Sequence, residues 1–172
     1  MPLSDEDRVM VEAFRDFVEG AVAADDRYGA VTRHDAKDET ILASRFDAGE
    51  SWWLEVALRP FVPEIRVGIL TDDRSWCEEV VQVIQESGET PSSFVAAGFR
   101  EAGLDWIEPQ LDQFDQDGAT YHFATPLPLD ELGDVDWNDF RGKTVRMLEA
   151  YLIAFGPAIV AGEVEEVRGE EE

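Results

Sequence analysis

The stretch Ser51–Thr71, SWWLEVALRPFVPEIRVGILT, constrains the fold more than any other part of the chain. Trp52, Leu54, Val56 and Leu58 alternate with Trp53, Glu55, Ala57 and Arg59; Ile65, Val67 and Ile69 alternate with Glu64, Arg66 and Gly68. A period of two puts one apolar row on one face of each strand and a mixed row on the other. Pro60 and Pro63 cannot donate to a ladder, so they belong to the connection between the strands. The segment reads as a β-hairpin with one greasy face, as expected of an antiparallel sheet covered on one side only. Glu55 and Arg66, both on mixed faces, are placed to pair across the strands. Adjacent residues of a strand point to opposite faces, so one indole of Trp52–Trp53 joins the core and Trp53 is the candidate for the outer face.

Helical patterns flank this hairpin. A helix over Ser4–Ala24 starts with Ser4 as cap and Asp5, Glu6 and Asp7 at the positive end of its dipole. Met10, Phe14, Phe17, Val18, Ala21 and Val22 make its apolar stripe. Tyr28–His34 and Glu39–Phe46 read as strands that lead into the hairpin as an antiparallel meander. Beyond it, Asp72 or Asp73 caps a helix striped by Trp76, Cys77, Val80, Val81 and Ile84, and Pro91 opens a shorter one that ends near Ala102. Leu104–Phe114 and Ala119–Ala124 form a second hairpin around Asp117-Gly118, a strong turn signal. Pro126-Leu127-Pro128-Leu129 is an extended link to a last helix. That helix is capped by Asp134 or Asp136 and reaches Phe155, with a kink or stop expected at Gly156-Pro157. The fold class is α+β: an antiparallel sheet, meander plus C-terminal hairpin, packed against N-terminal, middle and long C-terminal helices. One domain spans residues 1–161, and an acidic tail, residues 162–172, is expected to fray.

Composition narrows the function. The 172 residues carry 39 acids against 14 bases, a formal net charge of -25, and only Lys37 and Lys143 are lysines. Hydrophobic content is 44%, so the charge does not mean disorder. At ordinary salt such a chain repels itself; at molar salt the Debye length falls to about 3 Å and the repulsion is screened. The balance resembles that of proteins from organisms that accumulate salt in the cytoplasm. Direct nucleic-acid binding needs phosphate neutralisation by Lys and Arg, and is not expected. No run approaches the roughly 18 apolar residues of a membrane span, the N-terminus lacks the apolar segment of a secretory signal, and Cys77 is the sole cysteine. A reducing, cytoplasmic setting is the expectation.

Motifs for chemistry are absent from this reading, which expects no catalytic residue, cofactor or metal. His34 beside Asp35 has no nucleophile near it in sequence and reads as a surface residue. His122 reads as structural, and Cys77 as a small core residue among acidic neighbours. An EF-hand reading of Gln113–Ala124 fails at its first and last ligand positions. The surplus aromatics Trp53, Trp106 and Trp137 are the candidate partner contacts, because Trp is enriched at binding hot spots.

The order helix, meander, one or two helices, hairpin, long helix over Ser4–Phe155 resembles the type III secretion chaperone-like fold, including its YbjN-type relatives. The resemblance lies in element order and hydrophobic pattern, and this chain adds the helix at Pro91–Ala102. It implies a non-catalytic protein that binds another polypeptide, often itself as a homodimer. Two alternatives are a small-molecule binding domain with an apolar pocket between the sheet and the C-terminal helix, and an enzyme working through carboxylates.

Overall fold

The structure, a computed structural model, describes residues 2–170. Its order is α1 (Asp5–Ala23), β1 (Val31–Asp35), β2 (Leu42–Gly49), β3 (Trp52–Arg59), β4 (Glu64–Thr71), α2 (Arg74–Glu86), α3 (Pro91–Glu101), β5 (Asp112–Gln116), β6 (Thr120–Pro128), a 3-10 turn (Leu132–Asp136) and α4 (Asn138–Glu170). The strands form one antiparallel sheet in the order β1-β2-β3-β4-β6-β5. The C-terminal hairpin thus adds to the meander through β6, which pairs with β4 from Glu64↔Pro128 to Thr71↔Tyr121. This is the α+β architecture the patterning predicts.

Local chemistry sets most boundaries. Ser4 accepts a bond from the Asp7 amide, Asp73 accepts from Ser75 and Trp76, and Thr90 and Ser93 form a reciprocal capping box below Pro91. Asp117 and Gly118 both take positive φ in the β5–β6 turn, the conformation that Asp-Gly tolerates and tight hairpins need. All four helices lie on one side of the sheet. The core joins Leu54, Val56, Ile65, Val67, Ile69 and Phe123 of the strands to Phe14 and Val18 of α1, Cys77 and Ile84 of α2, Phe99 of α3, and Met147, Leu148, Tyr151 and Phe155 of α4. Trp52 is buried against Trp76, and Trp53 is half-buried on the other face.

Five expectations need correction. The buried stripe of α1 is Val11, Phe14, Arg15, Val18 and Val22. Phe17 is 42% exposed, with the Arg141 guanidinium over its ring, and Arg15 goes inside instead because Asp35 of β1 receives it. Only Asp112–Gln116 of the stretch expected as a strand from Leu104 pairs. The preceding residues turn back over the helices, where Leu104 is buried and Trp106 meets Phe99 edge-on. Pro126 and Pro128 are not a surface link but part of β6. They pair with β4 beyond Ala124, where β5 has ended, so their missing N–H groups fall on a bare edge. Neither Asp134 nor Asp136 caps α4: Asp134 accepts from the Asp130 and Glu131 amides, and Asp136 pairs with Arg141 at 3.0 Å. Finally, α4 does not stop at Gly156-Pro157 but runs through Pro157 as far as Glu170. Residues 171–172 of the acidic tail lie outside the described residues. Among those described, no helix is long and apolar enough to cross a membrane.

Candidate functional site

The helices leave the other face of the sheet uncovered. One cleft of about 370 Å³ is lined by residues from all six strands, from His34 of β1 to Phe114 and Gln116 of β5. Small side chains hollow it out: Ala43, Ala57 and Ala124 are on this face, and so is Gly68. A Cβ on Gly68 would overlap the Phe123 carbonyl and sit 2.7 Å from the Ala124 Cα, so β6 approaches β4 there as only glycine permits. A register shift between Asp47 and Gly49 adds a bulge in β2, which increases local twist.

The cleft is built from charge pairs and rings rather than from a greasy pocket. Arg45 Nε donates to Glu55 Oε2 at 2.7 Å, and both side chains are only 14% exposed. Glu55 was expected to pair with Arg66. The register puts it opposite Gly68 on β4 and opposite Arg45 on β2, so the nearer guanidinium comes from the strand on the other side. Arg66 instead donates through Nε to Glu64 Oε1 at 2.9 Å, and Arg59 donates to the same oxygen at 3.2 Å. The Arg66 guanidinium also lies over the Phe114 ring, 5.1 Å from its centroid.

His122 is the buried centre of this arrangement, at 3% exposure. Its ring stacks on Phe114 at 4.7 Å and 6°, its Nε2 is 2.9 Å from Thr120 Oγ1, and its Nδ1 is 3.9 Å from Glu55 Oε1. Burial, with Arg45 and Arg66 nearby, pushes its pKa down to about 4. Burial also raises the Glu55 carboxyl, against the opposing pull of Arg45 and Arg66. The imidazole is therefore neutral near pH 7, and the ring pair forms an uncharged floor beside the guanidinium groups.

Sequence reasoning took His122 as structural, and its burial fits that; its place in the cleft was missed. The signal was the alternation Tyr121-His122-Phe123, which puts His122 on the face opposite core residue Phe123. His34, read as a surface residue, is exposed at the rim of the same cleft.

The three tryptophans singled out from sequence do not converge. Trp53 lies on the uncovered face, in a cross-strand row with Leu70, His122 and Phe114. Trp106 is on the helix side, with Lys143 Nζ 4.5 Å from its ring centroid. Trp137, between the 3-10 turn and α4, is 62% exposed. Cys77 is buried in the core. Among the described residues, no three His, Cys, Asp or Glu side chains are grouped so as to hold a metal ion.

Comparison with family models, with curated proteins and with solved structures gives no match.

Proposed function

We propose that this protein is a non-catalytic binding module, chaperone-like or regulatory, that takes a polypeptide partner or a second copy of itself on the uncovered face of its sheet. The observation that carries this reading is the helix-free face whose cleft draws residues from every strand. Arg45, Glu55, Arg59, Glu64 and Arg66 are half-buried and held in ion pairs, so they are positioned before a partner arrives, which lowers the ordering cost of binding. The order of elements, similar to that of the type III secretion chaperone-like fold, supports the same reading. The excess of acids supports a salt-rich cytoplasm as its setting. A small ligand in the cleft is the second reading, favoured by a volume within the range of roughly 300–1,000 Å³ for such sites. Between sheet and α4, where sequence placed an apolar pocket, Met147, Leu148, Tyr151 and Phe155 are fully buried, Tyr151 stacks on Phe155, and Phe123 meets Phe155 at a tilt.

Ala57→Trp tests the proposal, because it fills the cleft from its floor and leaves the helix-side core untouched. Tagged wild-type chain should retain a stoichiometric polypeptide from its host lysate in molar KCl, or self-associate, and the variant should lose it. Retention of the same partner by a folded Ala57→Trp chain would move the binding surface elsewhere. No polypeptide and no self-association with either chain would favour the small-ligand reading.

A further inference from the structure

Phe114 and Asp115 of β5 line the cleft, and they also line a second cavity of about 470 Å³ between α2 and the β5–β6 turn. Strand β5 is thus a partition between two hollows. It is five residues long, stands at the edge of the sheet and pairs with β6 over Asp112–Gln116. Each side of the partition has its own contact. On the cleft side the Phe114 ring covers one face of the His122 imidazole, 4.7 Å away and within 6° of parallel. Toward α2, the neighbouring Gln113 is hydrogen-bonded to Cys77, which is 5% exposed and lines the second cavity.

We propose that β5 is an acid-triggered gate: a proton on His122 lifts Phe114 and β5 away from β6, and the cleft then joins the cavity beside Cys77. The gate is independent of what occupies the cleft. Charged groups reach toward His122 from each strand around it. Glu55 Oε1 of β3 is 3.9 Å from its Nδ1, but that carboxylate is held by Arg45 of β2 at 2.7 Å. Arg66 of β4 lies over the Phe114 ring, and Glu64 holds both Arg66 and Arg59. Asp115 of β5 and His34 and Asp35 of β1 line the same cleft, and Asp112 is on this face opposite Ala124. The acids favour an imidazolium and the guanidinium groups oppose it, while burial under Phe114 weighs against it most. Only burial can be relieved by a small movement, because water reaches the ring once Phe114 leaves. An edge strand tied to the sheet along one side opens at lower cost than the strands inside it.

Cys77, the sole cysteine, reports the opening. The full-length chain in molar KCl is treated with 4,4′-dithiodipyridine between pH 6.5 and 4.5, and each rate is divided by that of N-acetylcysteine at the same pH. The relative rate is expected to rise by about tenfold per pH unit, the linkage slope of one proton taken up on opening. His122→Gln, which does not titrate, should leave it flat. Amide hydrogen exchange of the wild-type chain, corrected for intrinsic rates, separates a local gate from general unfolding and needs no variant. Protection of the β5 amides should fall over the same range by at least about tenfold more than protection of the β3 amides. A relative Cys77 rate that stays flat in the wild type would overturn the proposal. So would an equal rise in a folded His122→Gln chain, which would assign the opening to the carboxylates, or an equal loss of protection in β3 and β5.

Discussion

Asp35→Ala is expected to destabilise the fold by about 3 kcal/mol, and adding Arg15→Met to the same chain is expected to recover most of that loss. The Arg15 side chain is 5% exposed, and Asp35 receives it with two bonds of 2.9 Å. Asp35 also accepts from the Ala43 amide at 3.1 Å, so the carboxylate ties α1 to both β1 and β2. With Asp35 gone, Arg15 keeps its charge, one firm bond to the Ala43 carbonyl at 3.0 Å, and a buried Nε that already lacks a partner. Breaking a buried pair by removing one member costs about 3–5 kcal/mol; the lower end applies because Asp35 is 36% exposed. Replacing Arg15 by an apolar chain of similar length removes the stranded charge. Urea melts of the two variants in molar KCl read both quantities. A loss below about 1 kcal/mol in Asp35→Ala, or a double variant no more stable than the single one, would contradict this view of the α1 contact.

The second large effect is at acid pH. The His122 pKa lies near 4 in the folded protein, below its ordinary value of 6.5, so the unfolded chain binds a proton that the folded chain refuses. Its contribution to stability is therefore intact above pH 6.5 and falls away as the pH drops through the window from 6.5 to about 4. At about 1.4 kcal/mol per pH unit the loss approaches 3 kcal/mol at the lower end. Glu55 acts in the opposite sense: its raised carboxyl favours the folded state as it protonates, and is present in wild type and variant alike. The informative quantity is thus the difference between wild type and His122→Gln, which keeps a polar partner for Thr120 but does not titrate. The variant's stability should fall less than wild type's between pH 6.5 and 4, by about 3 kcal/mol. Parallel curves would mean that the imidazole is not excluded from water as its burial implies.

The parts of the fold that depend on neighbours in sequence were legible in it. The alternation of Ser51–Thr71 located β3 and β4 and sent Trp52 inward and Trp53 outward; the cap Ser4, the choice of Asp72 or Asp73, Pro91 at a helix start and the turn at Asp117-Gly118 marked element ends. What depends on partners distant in sequence was not legible. Arg15 has a polar side chain on an amphipathic helix, and nothing local says that Asp35 will draw it inside. Pro126 and Pro128 look like strand breakers until the β5–β6 pairing is found to stop at Ala124. The cleft needed a fact that no pattern carries: that β6 pairs with β4, bringing His122 and Phe114 onto the face of Glu55 and Arg66. Large apolar residues drew attention to Trp106 and Trp137, whereas the hollow was made by the small ones, Ala43, Ala57, Gly68 and Ala124.

The most direct test of the uncovered face as the working surface is site-specific photo-crosslinking in the host lysate at molar KCl. Benzoylphenylalanine would replace Ile41 at the rim of the cleft in one chain, Val83 on the exposed side of α2 in a second and Trp137 in a third. The predicted result is a discrete polypeptide adduct, or a dimer of the chain, from Ile41 and from neither of the other two positions. An adduct from Trp137 or Val83 with none from Ile41 would place binding on the helix side and contradict the role assigned to the cleft.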